Sequence, residues 1–274
     1  MGRRRRAPRG RRRSGRNCLQ TKPQIALDQL RAAVAAGVQA ETVLADARYG
    51  NDTDFRDGIT ELDLLYVVGI QSTASLWPPG TEPLPPKPWR GQGRPTSAIR
   101  RDAEHQPVPA RQMALELPKG AWRRFTWREG SNTKLTSRFA AVRVRPAHRD
   151  YERSTPRPEE WCLIEWPAGE VEPTKYWLST EPASISRSAL VKTAKLRGRI
   201  ERDYQDLKQE LCLGHYEGRG WRGFHYHATL GIAAYGFLMS EREPIPPSAP
   251  RNTPLFKEHS LSAGYRPRGS PDPT

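Results

Sequence analysis

Four polar side chains in one predicted helix have the types and the spacing for phosphate chemistry. The helix is predicted between Leu190 and Gly214, and within about 60° of one of its faces lie Arg197, Glu201, Tyr204 and Lys208. A carboxylate can hold a divalent cation, while an Arg and a Lys beside it can bind phosphate oxygens. The alternative is a solvated helix face with an Arg–Glu pair at i,i+4. The helix alone does not decide between these interpretations.

A second carboxylate, Asp46, directly follows the short apolar run from Val43 to Ala45. This run predicts a buried strand, and ligands of open α/β sheets bind where strands end. Asp46 is therefore a candidate ligand-binding residue. The alternative is an Asp that caps a helix or a turn in front of Tyr49 and Gly50.

The elements around Asp46 alternate between helix and strand. The pattern predicts a helix from Pro23 to Gly37, the strand that ends at Asp46, a short helix from Asp52 to Gly58 and a strand from Leu64 to Ile70. Because both strands are almost continuously apolar, they indicate an α/β sheet with helices on its faces.

The middle of the chain has a different residue composition. Residues 72–97 are rich in proline, and residues 98–179 form short runs of aromatic and β-branched side chains. These runs predict a β-rich insertion between two α/β segments. Trp77 and Trp89 are either stacking platforms for bases or anchors of the proline-rich loop.

Two arginines of the insertion, Arg143 and Arg145, share one face of a predicted strand. They form either a surface that faces phosphates or a solvated face.

The last globular part predicts two helices. Next to the polar face of the first helix lies an apolar stripe made of Leu196, Ile200, Leu207 and Leu211. Ser184, Ser186 or Ser188 can cap its start. The second helix is predicted from about Phe224 to Ser240, with apolar residues mostly in a core: Phe224, Leu230, Ile232, Ala234, Phe237 and Leu238.

The composition favours a polyanionic partner. The 274 residues carry a formal net charge of +15, and 26 prolines and 22 glycines indicate many loops. No apolar run is long enough for a membrane-spanning helix, which excludes a membrane protein. Three widely separated cysteines indicate a reducing compartment and no cysteine-based metal site.

The chain is predicted to divide into five segments. The arginine-rich start cannot bury apolar surface, and it is a DNA-binding arm, an import-like signal or the product of a shifted reading frame. The segments are a disordered arm (1–20), a first core part (21–71), a proline-rich loop with the β-rich insertion (72–183), a helical second core part (184–242) and a disordered tail (243–274).

Several strings together resemble one family of enzymes. They are VLADARYGN at 43–51, YVVGIQST at 66–73, LWPPG at 76–80, and the pattern Arg197–x3–Glu201–x6–Lys208. In this order, with a β-rich insertion between them, they resemble the DDE transposases of the IS701 group, which is related to IS4. The resemblance covers roughly residues 21–240.

The resemblance implies a ribonuclease-H-like fold with three carboxylates that hold two Mg²⁺ or Mn²⁺ ions. Asp46 matches the second Asp of that set and Glu201 matches the Glu. Arg197 and Lys208 match the basic residues of the motif around the Glu. Ala194 stands where the motif has Tyr, and Gly198 stands where a Trp is usual.

The first Asp of that family has no match. Upstream of Asp46 the only aspartate is Asp28, which lies in a helical pattern. We therefore expect an incomplete ribonuclease-H-like fold whose first strands are missing, in an N-terminally truncated chain. The β-rich insertion would lie between the strand of the second Asp and the helix of the Glu.

Two functions follow as expectations. The first is cleavage and strand transfer of DNA with Mg²⁺ or Mn²⁺, impaired in this chain. The second is a non-catalytic, basic DNA-binding remnant. Expected partners are transposon ends and target DNA, together with a second copy or an intact transposase. The expected location is the bacterial cytoplasm, at the nucleoid.

Overall fold

The structure, a computed structural model, describes residues 19–39, 42–89, 91–93, 97–129 and 134–242. The predicted tail and all but the last two residues of the predicted arm lie outside this part. The chain groups into two compact units, residues 1–201 and 202–274. The predicted division into five segments stays a prediction.

Six α-helices and eight strands follow one another in the described residues. In chain order they are α1 (Lys22–Ala35), β1 (Thr42–Ala45), α2 (Ala47–Gly50), α3 (Thr53–Glu61), β2 (Leu65–Ile70), β3 (Ser75–Trp77), β4 (Val108–Pro109), α4 (Ala110–Glu116), β5 (Arg123–Glu129), β6 (Lys134–Pro146), β7 (Glu160–Trp166), β8 (Lys175–Ser179), α5 (Arg187–Gln209) and α6 (Trp221–Arg242). Within the described ranges, every helix is too short or too polar to cross a bilayer.

The helices and strands predicted around Asp46 are confirmed. Thr21 and Gln24 form a capping box at the start of α1, with Pro23 in the first turn. Gly37, just after α1, has a positive φ of 77° that favours glycine. Asp52 caps α3 by accepting a hydrogen bond from the Phe55 N–H.

The strands form one mixed sheet in the order β1-β2-β8-β7-β6-β3-β4, with β5 paired to β6. β1 is parallel to β2, and every other pair is antiparallel. The β-rich segment therefore continues the sheet of the first strands, because β8 pairs with β2. This mixed α/β architecture with a mostly antiparallel sheet is consistent with a ribonuclease-H-like fold.

Helices cover both faces of the sheet in the first unit. Along β2, Tyr66 and Val68 face a core that includes residues of α1, α3 and α4. Val67, between them, faces the opposite core, to which α5 contributes. The period of two along the strand thus sends alternate side chains to two separate cores, as predicted from the continuous apolar pattern.

The two tryptophans of the proline-rich loop differ in their environment. Trp77 is buried, and its Nε1–H donates a hydrogen bond of 2.7 Å to Oδ2 of the buried Asp150. Trp77 is therefore a loop anchor and not a platform for bases. Trp89 is 58% exposed and donates to the Gly93 carbonyl. Helix α4 was missed, because it lies within residues 98–179, for which the sequence predicted a β-rich insertion.

The predicted apolar stripe of α5 is wrong for its first members. Leu196 and Ile200 are exposed, while the buried residues of the helix are Leu190, Val191 and Ala194, which lie in its first two to three turns. At 100° per residue, the buried residues point about 140° away from the predicted stripe. Helical periodicity found an apolar face but did not show which face of α5 packs on the sheet.

The predicted core role of the second helix is also wrong. In α6, Phe224, Leu230, Ile232 and Phe237 are exposed. Its apolar residues are spread around the whole circumference, so neighbours on one side cannot cover them all. Within the second unit, α6 is held by hydrogen bonds from Tyr235 to Asp203 and between His227 and the Cys212 carbonyl.

Candidate functional site

The Asp46 carboxylate lies at the end of β1 and begins α2. Its Oδ1 accepts a hydrogen bond of 2.9 Å from the Arg48 N–H, which makes Asp46 the N-cap of this short helix. The cap interpretation is therefore correct for one oxygen. The other oxygen, Oδ2, faces α5, where its partner is Arg197.

Two glycines fix the position of this turn against β2. A Cβ on Gly50 would lie 1.9 Å from the Gly69 carbonyl oxygen, and a Cβ on Gly69 would lie 3.0 Å from the Ala47 nitrogen. Only glycine at position 50 allows α2 to approach the strand this closely. Sequence reasoning missed this pair, although the strings VLADARYGN and YVVGIQST, quoted for the family, each contain one of the two glycines.

Helix α5 is anchored on the other face of the sheet by its first two turns. Ser186 caps the helix by accepting a hydrogen bond from the Ala189 N–H. Leu190, Val191 and Ala194 then pack in the core that Trp177 shares. Ala194, which stands at the position of the motif's Tyr, is buried there and does not face solvent.

Lys195 is a second anchor of α5, which sequence reasoning also missed. Its Nζ lies 2.5 Å from Oε2 of the buried Glu165 and 4.4 Å from the ring centroid of Trp127. The rings of Phe139 and Trp177 lie 5.4 Å from the same atom. Burial lowers the pKa of Lys195, while the Glu165 carboxylate acts in the opposite direction. The Lys195 ammonium group, surrounded by aromatic rings and paired with Glu165, holds α5 against the sheet at a position two residues before Arg197.

Arg197 joins the two candidate carboxylates. One terminal nitrogen lies 3.3 Å from Oδ2 of Asp46, and the other lies 3.4 Å from Oε1 of Glu201. The side chains are 36% exposed for Arg197, 32% for Asp46 and 70% for Glu201. The structure therefore brings Asp46, Arg197 and Glu201 together at an accessible surface of the first unit.

Tyr204 and Lys208 lie on the part of α5 that belongs to the second unit. Both are exposed, and the Lys208 Nζ lies 4.3 Å from the centroid of the Tyr204 ring, as a cation–π pair. Their roles in binding DNA stay predictions.

Arg143 and Arg145 bind protein carboxylates. Arg145 lies 3.6 Å from Glu82 and 3.7 Å from Glu159, and it donates to the Arg157 carbonyl. Arg143 lies over the Trp161 ring at 5.1 Å and 3.9 Å from Glu159. Neither arginine is therefore simply solvated, and both have partners that phosphates would have to replace.

A buried polar network lies on the face of β2 that is opposite to α5. Glu160 is buried, and one of its oxygens has no hydrogen-bond partner. Burial raises its pKa, while a hydrogen bond from Tyr66 and the positive charges of Arg56 and Arg157 act in the opposite direction. Arg157 is itself held by both oxygens of Asp57. This network supports the strand next to the site.

The metal-binding capacity of the site is limited by its donor set. Asp46 and Glu201 offer oxygen ligands, and they already face one shared cation, the Arg197 guanidinium. Across the described ranges, no three or more His, Cys, Asp or Glu side chains are grouped so that they could hold a metal ion. Asp28, the aspartate upstream, bonds to Gln20 and Arg31 in and before α1. Two carboxylates with waters and phosphate oxygens fit one divalent cation.

Residues 3–134 match the family model of the DDE superfamily endonucleases. The match covers somewhat less than half of the chain, includes Asp46, and ends before Arg197 and Glu201. It supports a relation to DDE transposases, whose substrate is DNA and which generally use divalent metals. No curated protein matches this chain.

Proposed function

We propose that this protein is a DDE-type transposase of the IS701 group, related to IS4, that cleaves DNA and transfers its strands. Asp46 and Glu201 are the proposed catalytic carboxylates and metal ligands. Arg197, Lys208 and Tyr204 are the proposed contacts to DNA and its phosphates. The observation that carries this proposal is the shared guanidinium, which brings two carboxylates far apart in the chain to one cation.

The carboxylates favour a hard divalent cation, either Mg²⁺ or Mn²⁺. Such an ion supplies Lewis-acid stabilisation of charge on a phosphodiester and an activated water or hydroxyl. Asp46 and Glu201 would hold it with oxygen atoms, and Arg197 and Lys208 would neutralise and orient the flanking phosphates. The site stands at the surface, so a duplex has access to it.

Two carboxylates do not complete a two-ion site. The family set that the resemblance implies has three carboxylates, whereas among the described residues two carboxylates contact Arg197. We therefore propose that cleavage is slow and that high concentrations of divalent ion are required. A second copy or an intact transposase is the proposed protein partner, and the proposed location is the bacterial cytoplasm, at the nucleoid.

A second candidate function is DNA binding without catalysis. It is favoured by the net charge of +15 and by the finding that, in the part of the chain that the structure describes, two carboxylates and not three meet at the site. Phosphate contacts alone give such a protein an affinity for DNA that needs no metal ion. The protein would then occupy transposon ends without cutting them.

Nicking of supercoiled DNA with Mg²⁺ or Mn²⁺ separates the two functions. The variants are Asp46→Asn and Glu201→Gln, with the exposed Glu61→Gln as a matched control. We expect nicking by the wild type and the control, and at least about a hundredfold less by each site variant. DNA binding by all four proteins without any nicking would favour the second function and contradict the first.

A further inference from the structure

The Arg197 guanidinium occupies the carboxylate oxygens that a divalent ion would need. Oδ1 of Asp46 accepts a hydrogen bond from the Arg48 N–H, and Oδ2 is the oxygen that the helix cap does not use. Oδ2 and Oε1 of Glu201 are the two atoms that face Arg197. The arginine and a divalent cation therefore compete for Oδ2 of Asp46 and for the negative charge of the Glu201 carboxylate.

We propose that Arg197 is a built-in counter-cation of the Asp46–Glu201 pair, which a divalent ion displaces and which DNA phosphate then takes up. This inference rests on the proposed function, since it concerns the same metal site. It assigns Arg197 two alternating partners, a carboxylate pair in the free protein and a phosphate in the complex with DNA.

The exposure of the three side chains makes such an exchange feasible. Ion pairs between partly exposed groups are weak, because water screens them and both side chains lose freedom. Asp46 and Arg197 are each about one-third exposed, and Glu201 is more exposed still. The guanidinium can therefore leave at small cost, and its planar fork suits a phosphate as well as a carboxylate.

The exchange predicts that metal and DNA assist each other. An ion on the carboxylates sets Arg197 free for phosphate, and phosphate on Arg197 frees the carboxylates for the ion. By linkage, DNA must strengthen metal binding by the same factor by which metal strengthens DNA binding. Without the arginine this coupling should fall, while metal binding in the absence of DNA should become stronger.

Titration of Mn²⁺, followed by the paramagnetic resonance signal of the free ion, tests this inference with and without a short DNA duplex. The variants are Arg197→Gln and, as a second form that keeps the charge but not the fork, Arg197→Lys. The control is Arg199→Gln, which removes an equal charge from an exposed position of the same helix. Urea unfolding confirms that each variant folds.

We expect Arg197→Gln to bind Mn²⁺ about three- to tenfold more tightly than Arg199→Gln in the absence of DNA, with Arg197→Lys between the wild type and Arg197→Gln. DNA should strengthen Mn²⁺ binding in the wild type and in Arg199→Gln, and much less in Arg197→Gln. Equal or weaker Mn²⁺ binding by Arg197→Gln compared with the control would overturn the inference.

The proposed metal site is tested separately in the same titration. If Asp46→Asn and Glu201→Gln each abolish Mn²⁺ binding while Arg197→Gln resembles its control, the counter-cation role is wrong and the site stands. If Asp46→Asn and Glu201→Gln both bind Mn²⁺ with the wild-type affinity, the proposed function is wrong, and the inference that rests on it is overturned as well.

Discussion

At the scale of single residues, the Asp46 carboxylate is divided between structure and the candidate site. Oδ1 caps α2 and Oδ2 faces Arg197. An amide in place of the carboxylate keeps an oxygen for the cap but loses the negative charge. The two roles can therefore be separated by choosing the replacement.

We predict that the free energy of unfolding of Asp46→Asn lies within about 0.5 kcal/mol of the wild-type value. Asp46→Ala should be destabilised by about 1 kcal/mol, because it loses the helix cap. Both variants should lose Mn²⁺ binding. Urea unfolding measures the first difference and a Mn²⁺ titration the second. Equal destabilisation by Asn and Ala would show that the charge of Asp46, and not its cap, supports the fold.

Glu160 gives the fold a pH dependence of its own. Because burial raises its pKa, the protonated form is favoured in the folded state. Its contribution to stability is fully present below the pKa of an unfolded Glu, about 4.3, and is lost as pH rises through the higher folded pKa.

We predict that Glu160→Gln becomes increasingly stable relative to the wild type as pH rises from about 4. The glutamine cannot ionise, and it still accepts a hydrogen bond from Tyr66. Urea unfolding of both proteins across a pH series measures the difference. A difference that stays constant with pH would mean that Glu160 does not titrate with a raised pKa.

At the scale of elements, the turn after β1 depends on a close contact of glycines. We predict that Gly50→Ala destabilises the protein by at least about 2 kcal/mol, since the new Cβ would meet the Gly69 carbonyl oxygen. The Gly69 carbonyl belongs to the backbone of β2, so it cannot move away from the new Cβ as a flexible side chain could. The shift should also carry Asp46 away from Arg197 and weaken Mn²⁺ binding.

Gly198 is the matched control, because a Cβ there would meet nothing within 4 Å. Gly198 lies inside α5, where Ala favours the helix by up to about 1 kcal/mol. Gly198→Ala should therefore stabilise the protein slightly and leave the site intact. Urea unfolding of the two variants compares them directly, and stabilisation by both would contradict the close contact of α2 with β2.

At the scale of the whole molecule, the net charge of +15 favours a polyanionic partner, and the proposed partner is DNA. We predict that log affinity falls linearly with log salt, with a slope of about −4 to −5 if about five phosphates are neutralised. The double variant Asp46→Asn/Glu201→Gln should bind DNA at least as tightly as the wild type in the absence of metal, since it has lost two negative charges. Fluorescence anisotropy measures both, and an affinity that does not change with salt would contradict a phosphate-dominated interface.

The sequence predicted much of the first unit correctly. Apolar runs and caps placed β1, β2 and α3, and the residue after β1 was recognised as a cap or a ligand; it proved to be the cap of α2. Periodicity grouped Arg197 with Glu201 on one face of α5. It did not show that Arg197 reaches Asp46, because an ion pair across 151 positions depends on how α5 docks on the sheet.

Helical periodicity did not predict which apolar residues of α5 and α6 are buried. Leu196 and Ile200 form an apolar stripe that the fold leaves exposed, and α6 carries apolar residues on all sides, so no single buried face could be assigned. The anchor made by Lys195 was missed for a similar reason. Its aromatic neighbours lie on β5, β6 and β8, and only the complete sheet brings them together.

The claim that Asp46 and Glu201 share one divalent ion can be tested most directly by cleavage of the protein backbone with bound Fe²⁺, ascorbate and peroxide. Radicals made at a bound ion cut only the chain segments next to it. We predict cuts near residue 46 and near residue 201, both suppressed by excess Mg²⁺ and both lost in Glu201→Gln. Cuts at only one of these places, or at both but unchanged in Glu201→Gln, would contradict a shared site.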